Sequence, residues 1–254
     1  MSMTDGELAA HLAEAAGALL LEARRSHMLS ASALGREGDR IANSMLVPAI
    51  RQHRPHDGLL SEEERDNPSR LGHSRVWIID PVDGSQEYGE GRDDWAVHIG
   101  LAIDGVPAVG AVALPALGLV LRSDIPSPIH LGPAVPRMVV SRTRPPPEAV
   151  AVAEMLGADV VAMGSAGAKA MAVVRGEADI YLHTGGQFEW DSCAPAAVAL
   201  AHGLHVSRAD GSALRYNNPN PYLPDLLICL PNLAQPISQA LAEHRDRGVI
   251  EHSM

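Results

Sequence analysis

The stretch Trp77-Ile78-Ile79-Asp80-Pro81-Val82-Asp83-Gly84-Ser85 is an apolar strand that ends abruptly in two carboxylates flanking a proline turn. On so rigid a turn Asp80 and Asp83 can point into one space. Hard divalent ions such as Mg²⁺ take several oxygen ligands at about 2.0–2.1 Å, and a pair of aspartates held this way can serve two neighbouring ions. Gly84 and Ser85 follow, and their backbone amides suit a phosphate oxygen. Asp-Pro and Asp-Gly are also common turn dipeptides, so the segment taken alone describes an ordinary turn equally well.

Two further segments bear on that choice. Leu59-Leu60-Ser61-Glu62-Glu63 brings a second apolar run up to paired carboxylates, and Trp190-Asp191 introduces a helix with an acidic residue at its expected amino-terminal cap. Each alone has a plain structural reading, a solvated acidic face for the first and a helix cap for the second.

Around these segments the periodicity predicts helices over 4–25 and 39–53 and an exposed loop over 64–70. Four strands follow at 75–80, 95–103, 108–114 and 118–122, close enough in sequence for an antiparallel meander. A Pro-rich stretch over 126–136 separates them from alternating pieces at 138–141, 147–156, 160–162, 166–175, 180–182 and 191–202, the pattern of an α/β half. The expected organisation is an amino-terminal α+β metal-binding half (1–130) and a carboxyl-terminal α/β half (131–254), joined as one compact unit with the active site between them.

The 254 residues are enough to bury a large core, which argues against a small binding module. A net charge of −11, with no basic cluster interleaved with aromatics, makes nucleic-acid polymers and anionic membranes poor partners. Cys193 and Cys229 sit in apolar stretches without metal-type spacing and read as reduced core thiols. With no export signal and no apolar stretch of membrane-spanning length, the expected location is the cytoplasm. The 20 basic residues comprise 19 arginines and a single lysine, Lys169.

The ordered set Leu-Ser-Glu-Glu, Asp-Pro-Val-Asp-Gly-Ser and, about a hundred residues on, Trp-Asp resembles the inositol monophosphatase superfamily over nearly the whole chain. The resemblance implies a layered α/β/α/β/α sugar-phosphatase fold, two or three Mg²⁺ ions per active site, lithium sensitivity and often a homodimer. It implies Glu62, Asp80, the Val82 carbonyl, Asp83 and Asp191 as metal ligands, and Asp39, Ser85 and Glu62 as the catalytic group, with Asp39 and Ser85 paired to orient the attacking water. The motif usually carries Thr where Ser85 stands, a change that keeps the hydroxyl.

Five stretches, Gly38–Arg40, Gly91–His98, Ser141–Pro145, Gly164–Lys169 and Glu189–Asp191, resemble the CysQ-type bisphosphate nucleotidases within that superfamily. They imply hydrolysis of the 3′-phosphate of adenosine 3′,5′-bisphosphate, a by-product of sulfate assimilation, to AMP and phosphate. Gly84, Ser85, Ser141, Arg142, Ser165 and Lys169 are the expected substrate contacts. Gly164–Gly167 reads as a turn opening a helix, where free amides and the helix dipole favour an anion and Lys169 adds a compact positive charge. Inositol-specific members carry a carboxylate near the position of His183, which this chain lacks. Inositol-1-phosphate or fructose-1,6-bisphosphate hydrolysis is the alternative within the same chemistry, and a catalytically silent ligand-binding protein on the same fold is the alternative outside it.

Overall fold

The structure is a computed structural model that describes residues 3–25, 29–130 and 132–251. Helix α1 (Asp5–Arg24) starts at Thr4, whose hydroxyl accepts from Glu7 N while the Glu7 carboxylate accepts from Thr4 N, a reciprocal cap of two otherwise unpaired amides. Helix α2 (Ala31–His53) precedes β1 (Gly58–Ser61), β2 (Arg75–Asp83), the short α3 (Ser85–Gly89), β3 (Ala96–Ile103), β4 (Val106–Leu114) and β5 (Leu119–Arg122). Then come β6 (Arg137–Ser141), α4 (Pro147–Leu156), β7 (Asp159–Met163), α5 (Ala166–Val174), β8 (Ile180–His183), β9 (Gln187–Phe188) and α6 (Glu189–Ala201). The chain closes with β10 (His205–Ser207), β11 (Tyr222–Leu223), β12 (Leu226–Cys229) and α7 (Ala234–Glu251).

The first sheet has the order β1-β2-β3-β4-β5, with β1 parallel to β2 and the rest antiparallel, so the expected meander is present. The second has the order β10-β12-β8-β6-β7, and β9 with β11 makes a separate two-stranded ribbon. Strand alternation assigns the layers. Trp77 and Ile79 face α1 and α2 in one core, while Val76 and Ile78 face α5 and α6 in another that also takes in Val139, Tyr181 and Ile228 of the second sheet. A third core under α4 and α7 holds Met138, Val140, Ile180, Leu182, Ile237 and Leu241. The result is the layered α/β/α/β/α arrangement.

Helix α6 lies against the first sheet at unusually close range. A Cβ on Gly100 or Gly110 would run into the backbone of Ala194, and the facing helix positions Ala194 and Ala197 are themselves small. That approach fixes the helix start, and Asp191 with it, over the end of β2.

Several boundaries differ from the sequence expectation. α2 begins at Ala31 rather than Asp39, because Gly35 packs against the backbone of Ser85 and Gly38 against Tyr88, contacts that no helical periodicity encodes. β1 was not expected as a strand; its parallel pairing with β2 is non-local. The elements β10, β12 and α7 also fell outside the expectation. Both cysteines are free and buried, as reduced core thiols should be.

Candidate metal centre and active site

Residues three apart on a regular strand face opposite sides of the sheet, so Asp80 and Asp83 should diverge. They do not, because pairing with β3 jumps from Asp80–His98 to Asp83–Ala96, leaving two β2 residues opposite Val97. This bulge resets the alternation and brings both carboxylates to one side. The parallel register Ser61↔Ile79 sets Glu62 beside Asp80, with Glu62 N donating to Ile79 O at 3.3 Å. Asp191 enters from the first turn of α6, its carboxylate accepting from Phe188 N at 2.6 Å. The helix therefore starts two residues earlier than expected, at Glu189, and Asp191 bonds back to the cap rather than forming it.

One ligand oxygen from each of Asp80, Asp83 and Asp191 lies within 4.8 Å of the others. Glu62 lines the same cleft, of about 370 Å³, as Asp83 and Asp191. Among the described residues no arginine or lysine ion-pairs with any of the four. Burial, with the charges of Glu62, Asp83 and Asp191, pushes Asp80 well above the usual carboxylate range. Burial, with Asp191, Glu63 and Asp83, pushes Glu62 up to about 7 against a hydrogen bond with Asp80 that pulls it down. Burial and Asp83 bring Asp191 to about 6.

Asp83 is different. Burial pushes its carboxyl up, but His98, the Gly167 amide and Lys169 hold it below its ordinary value. Its oxygens accept from Ala166 N at 3.2 Å and Gly167 N at 2.5 Å, and His98 Nε2 stands 3.1 Å away as an ion-pair contact rather than an aligned hydrogen bond. Gly167 is required at this point, since a Cβ there would strike His98 Nε2 and Asp83 Oδ2. A set of hard carboxylate oxygens, crowded and with no arginine or lysine ion-paired to them among the described residues, suits a divalent metal.

Asp39 is buried on α2, its Oδ1 has no hydrogen-bond partner, and burial with the charges of Glu63 and Glu62 raises it to about 8. No hydrogen bond joins it to Ser85. Gly84 takes the left-handed conformation that starts α3, and Ser85 lines a different groove, with Ser32, Gly35 and Arg36, rather than the cleft of Glu62, Asp83 and Asp191.

The expected substrate contacts divide. Ser141 and Lys169 line the cleft. Ser165 caps α5 by accepting from Ala168 N at 3.0 Å and is not among the lining residues. Arg142 turns away to Glu87 and Glu90, both at 2.7 Å, and the arginine of that segment on the cleft wall is Arg144, whose guanidinium has no partner among the described residues. A sequence alone cannot say which of two neighbouring arginines a distant glutamate captures. Lys169 Nζ donates to Gly164 O and, at 2.7 Å, to Ser165 O. Burial lowers its pKa to about 8, against the charges of Asp83 and Glu87. Sequence reasoning also missed the aromatic side of the cleft, Tyr181, Phe188 and Tyr222; the one signal for it was that the chain's only phenylalanine stands two residues from Trp190.

The inositol monophosphatase family model matches residues 6–124 and 134–247, and the chain belongs to that family. More narrowly, it is 51% identical over 247 residues to a 3′-phosphoadenosine 5′-phosphate phosphatase of Mycobacterium leprae, with 91% of each chain covered. It is 28% identical over 199 residues to the 3′(2′),5′-bisphosphate nucleotidase CysQ of Salmonella typhimurium, covering 73% of this chain and 80% of that one. In fold it resembles the crystal structure of CysQ from Bacteroides thetaiotaomicron, a bacterial member of the same family, with a TM-score of 0.77, 23% identity, and coverage of 89% of this chain and 97% of that one.

Proposed function

We propose that this chain is a Mg²⁺-dependent 3′-phosphoadenosine 5′-phosphate phosphatase that hydrolyses the 3′-phosphate of adenosine 3′,5′-bisphosphate to give AMP and phosphate, serving sulfate assimilation in the cytoplasm. The observation that carries the reading is one cleft with carboxylates Glu62, Asp83 and Asp191 on its floor and the cations Arg144 and Lys169 on its wall, in a chain half identical to phosphatases of that name. Among the described residues no helix is long and apolar enough to cross a membrane.

Glu62, Asp80, Asp83, Asp191 and the Val82 carbonyl would hold the metal ions, which when bound would supply a water acidic enough to attack at neutral pH and offset charge on the leaving oxygen. The protein's own groups do the rest. Asp39 and Ser85 orient the attacking water, and the amides of Gly84 and Ser85 hold the transferred phosphoryl oxygens. Arg144 and Lys169 hold the second phosphate, Lys169 with the N–H left over from its two backbone carbonyls.

Phosphate release from adenosine 3′,5′-bisphosphate, inositol 1-phosphate and fructose 1,6-bisphosphate, with and without Li⁺, tests the assignment. The highest kcat/KM is expected on the adenosine bisphosphate, with inhibition by Li⁺. Preference for either sugar phosphate makes this a sugar phosphatase, and no turnover of any of the three supports a silent binding protein.

A further inference from the structure

The ribbon of β9 and β11 borders the cleft, and its register sets Phe188 directly opposite Tyr222. Residues opposite one another on an antiparallel pair share a face, while their neighbours turn to the other. Gln187 and Leu223 accordingly face inward and are buried, whereas Phe188 and Tyr222 stay 41% and 48% exposed. Phe188 also stacks on Trp190, ring centroids 4.8 Å apart and planes within 10°, and meets Tyr222 edge to face at 6.0 Å.

In a chain with one phenylalanine, three tryptophans and four tyrosines, three aromatic rings are thus gathered at one rim. The stack orients them and leaves ring surface open to solvent, an arrangement that costs stability unless a flat apolar group covers it. The rim is continuous with the wall carrying Arg144 and Lys169 and with the carboxylate floor. A ligand filling the cleft would therefore meet cations, a metal-binding carboxylate cluster and, beside Asp191, exposed ring faces.

We infer that Phe188 and Tyr222, braced by Trp190, form a platform on which the purine base of the substrate stacks, so that base recognition resides in this ribbon. The inference rests on the nucleotidase reading and deepens it. Stacking reads a π-face and not a hydrogen-bonding edge, so the platform distinguishes base-bearing from base-free phosphates more sharply than one purine from another.

The test compares wild type, Phe188→Leu and Tyr222→Leu. Leucine keeps apolar bulk without a ring, and both sites are exposed enough to tolerate it. On adenosine 3′,5′-bisphosphate each variant should lose roughly tenfold in kcat/KM, mostly through KM, while inositol 1-phosphate turnover stays within about twofold. Equal losses on both substrates, or no loss on the nucleotide, overturn the platform.

A binding measurement separates this from failure of the functional reading. By calorimetry in the presence of Mg²⁺, wild type should bind AMP about tenfold more tightly than ribose 5-phosphate, and Phe188→Leu should abolish the difference. Equal affinities in wild type refute the platform whatever the enzyme hydrolyses. A clear AMP preference in a protein that does not cleave adenosine 3′,5′-bisphosphate supports the platform and removes only the assigned reaction.

Discussion

Glu189 and Asp191 stand two residues apart in the first turn of α6, and the fold deals with their charges by different means. Glu189 is fully buried and its two oxygens accept from Asn217 N at 2.7 Å and from Asn218 N and Nδ2, both at 2.8 Å. Arg70, itself buried, ties the same loop through Asn217 Oδ1 and Asn218 O while pairing with Asp66. Asp191 opens onto the cleft beside Asp80 and Asp83, with one amide and no cation. A buried carboxylate can be matched by protein donors, which makes it structural, or left in company with its own kind, which makes it a place for an ion. In one helical turn this molecule does both.

The widest expected effect falls on the unmatched side. Asp80→Asn or Asp191→Asn should lower kcat at least about 100-fold at saturating Mg²⁺, since each removes a charged ligand. The metal-free variants should unfold no more easily than metal-free wild type, because relief of like-charge crowding offsets the lost side chain. Near-normal turnover would remove the metal assignment, and a large loss of metal-free stability would erase the contrast with Glu189.

Glu189→Ala should behave in the opposite manner. It strands the partly buried amides of Asn217 and Asn218 and should cost about 1–3 kcal/mol of unfolding free energy in denaturant titration, while the Mg²⁺ concentration for half-maximal activity changes less than about threefold. A stable variant with weakened Mg²⁺ dependence would make Glu189 part of the metal centre instead.

The pH dependence of metal-free stability sharpens the same comparison. Glu62 and Asp191 titrate near 7 and 6 in the fold against ordinary values of 4.5 and 3.8. The folded state therefore holds protons that the unfolded chain has released, and stability falls as pH rises through 6 and 7. In EDTA the Tm should drop between pH 5 and 7.5, and millimolar Mg²⁺ should restore more at pH 7.5 than at pH 5. A Tm that rises over that range in EDTA would contradict the crowded-carboxylate account.

The smallest effects separate two arginines. Arg144→Ala should weaken kcat/KM on the bisphosphate roughly five- to tenfold more than on a monophosphate. Arg142→Ala breaks only a partly exposed pairing with Glu87 and Glu90 and should cost under about 1 kcal/mol with no substrate selectivity. The reverse ranking would return the anion contact to Arg142.

How much of this was legible beforehand follows physical range. Helix α4 was expected where it lies, 147–156, because a proline start and an apolar period are local signals. The meander was legible for the same reason, through its turn dipeptides. Phe188 and Tyr222 were not, since 34 residues separate them and only the pairing of two-residue strands makes them neighbours.

The sequence by itself settled the order of the acidic segments, the strand that delivers Asp80 and Asp83, the meander that follows it and the alternation of elements from β6 to α6, all of which depend on short-range propensity and spacing. Tertiary structure alone decided that a bulge turns Asp80 and Asp83 to one side, that Arg144 rather than Arg142 reaches the cleft, and that Glu189 is satisfied while Asp191 is not. Each of those outcomes is a competition between groups far apart in the chain, and only the packed fold sets which partner comes within reach.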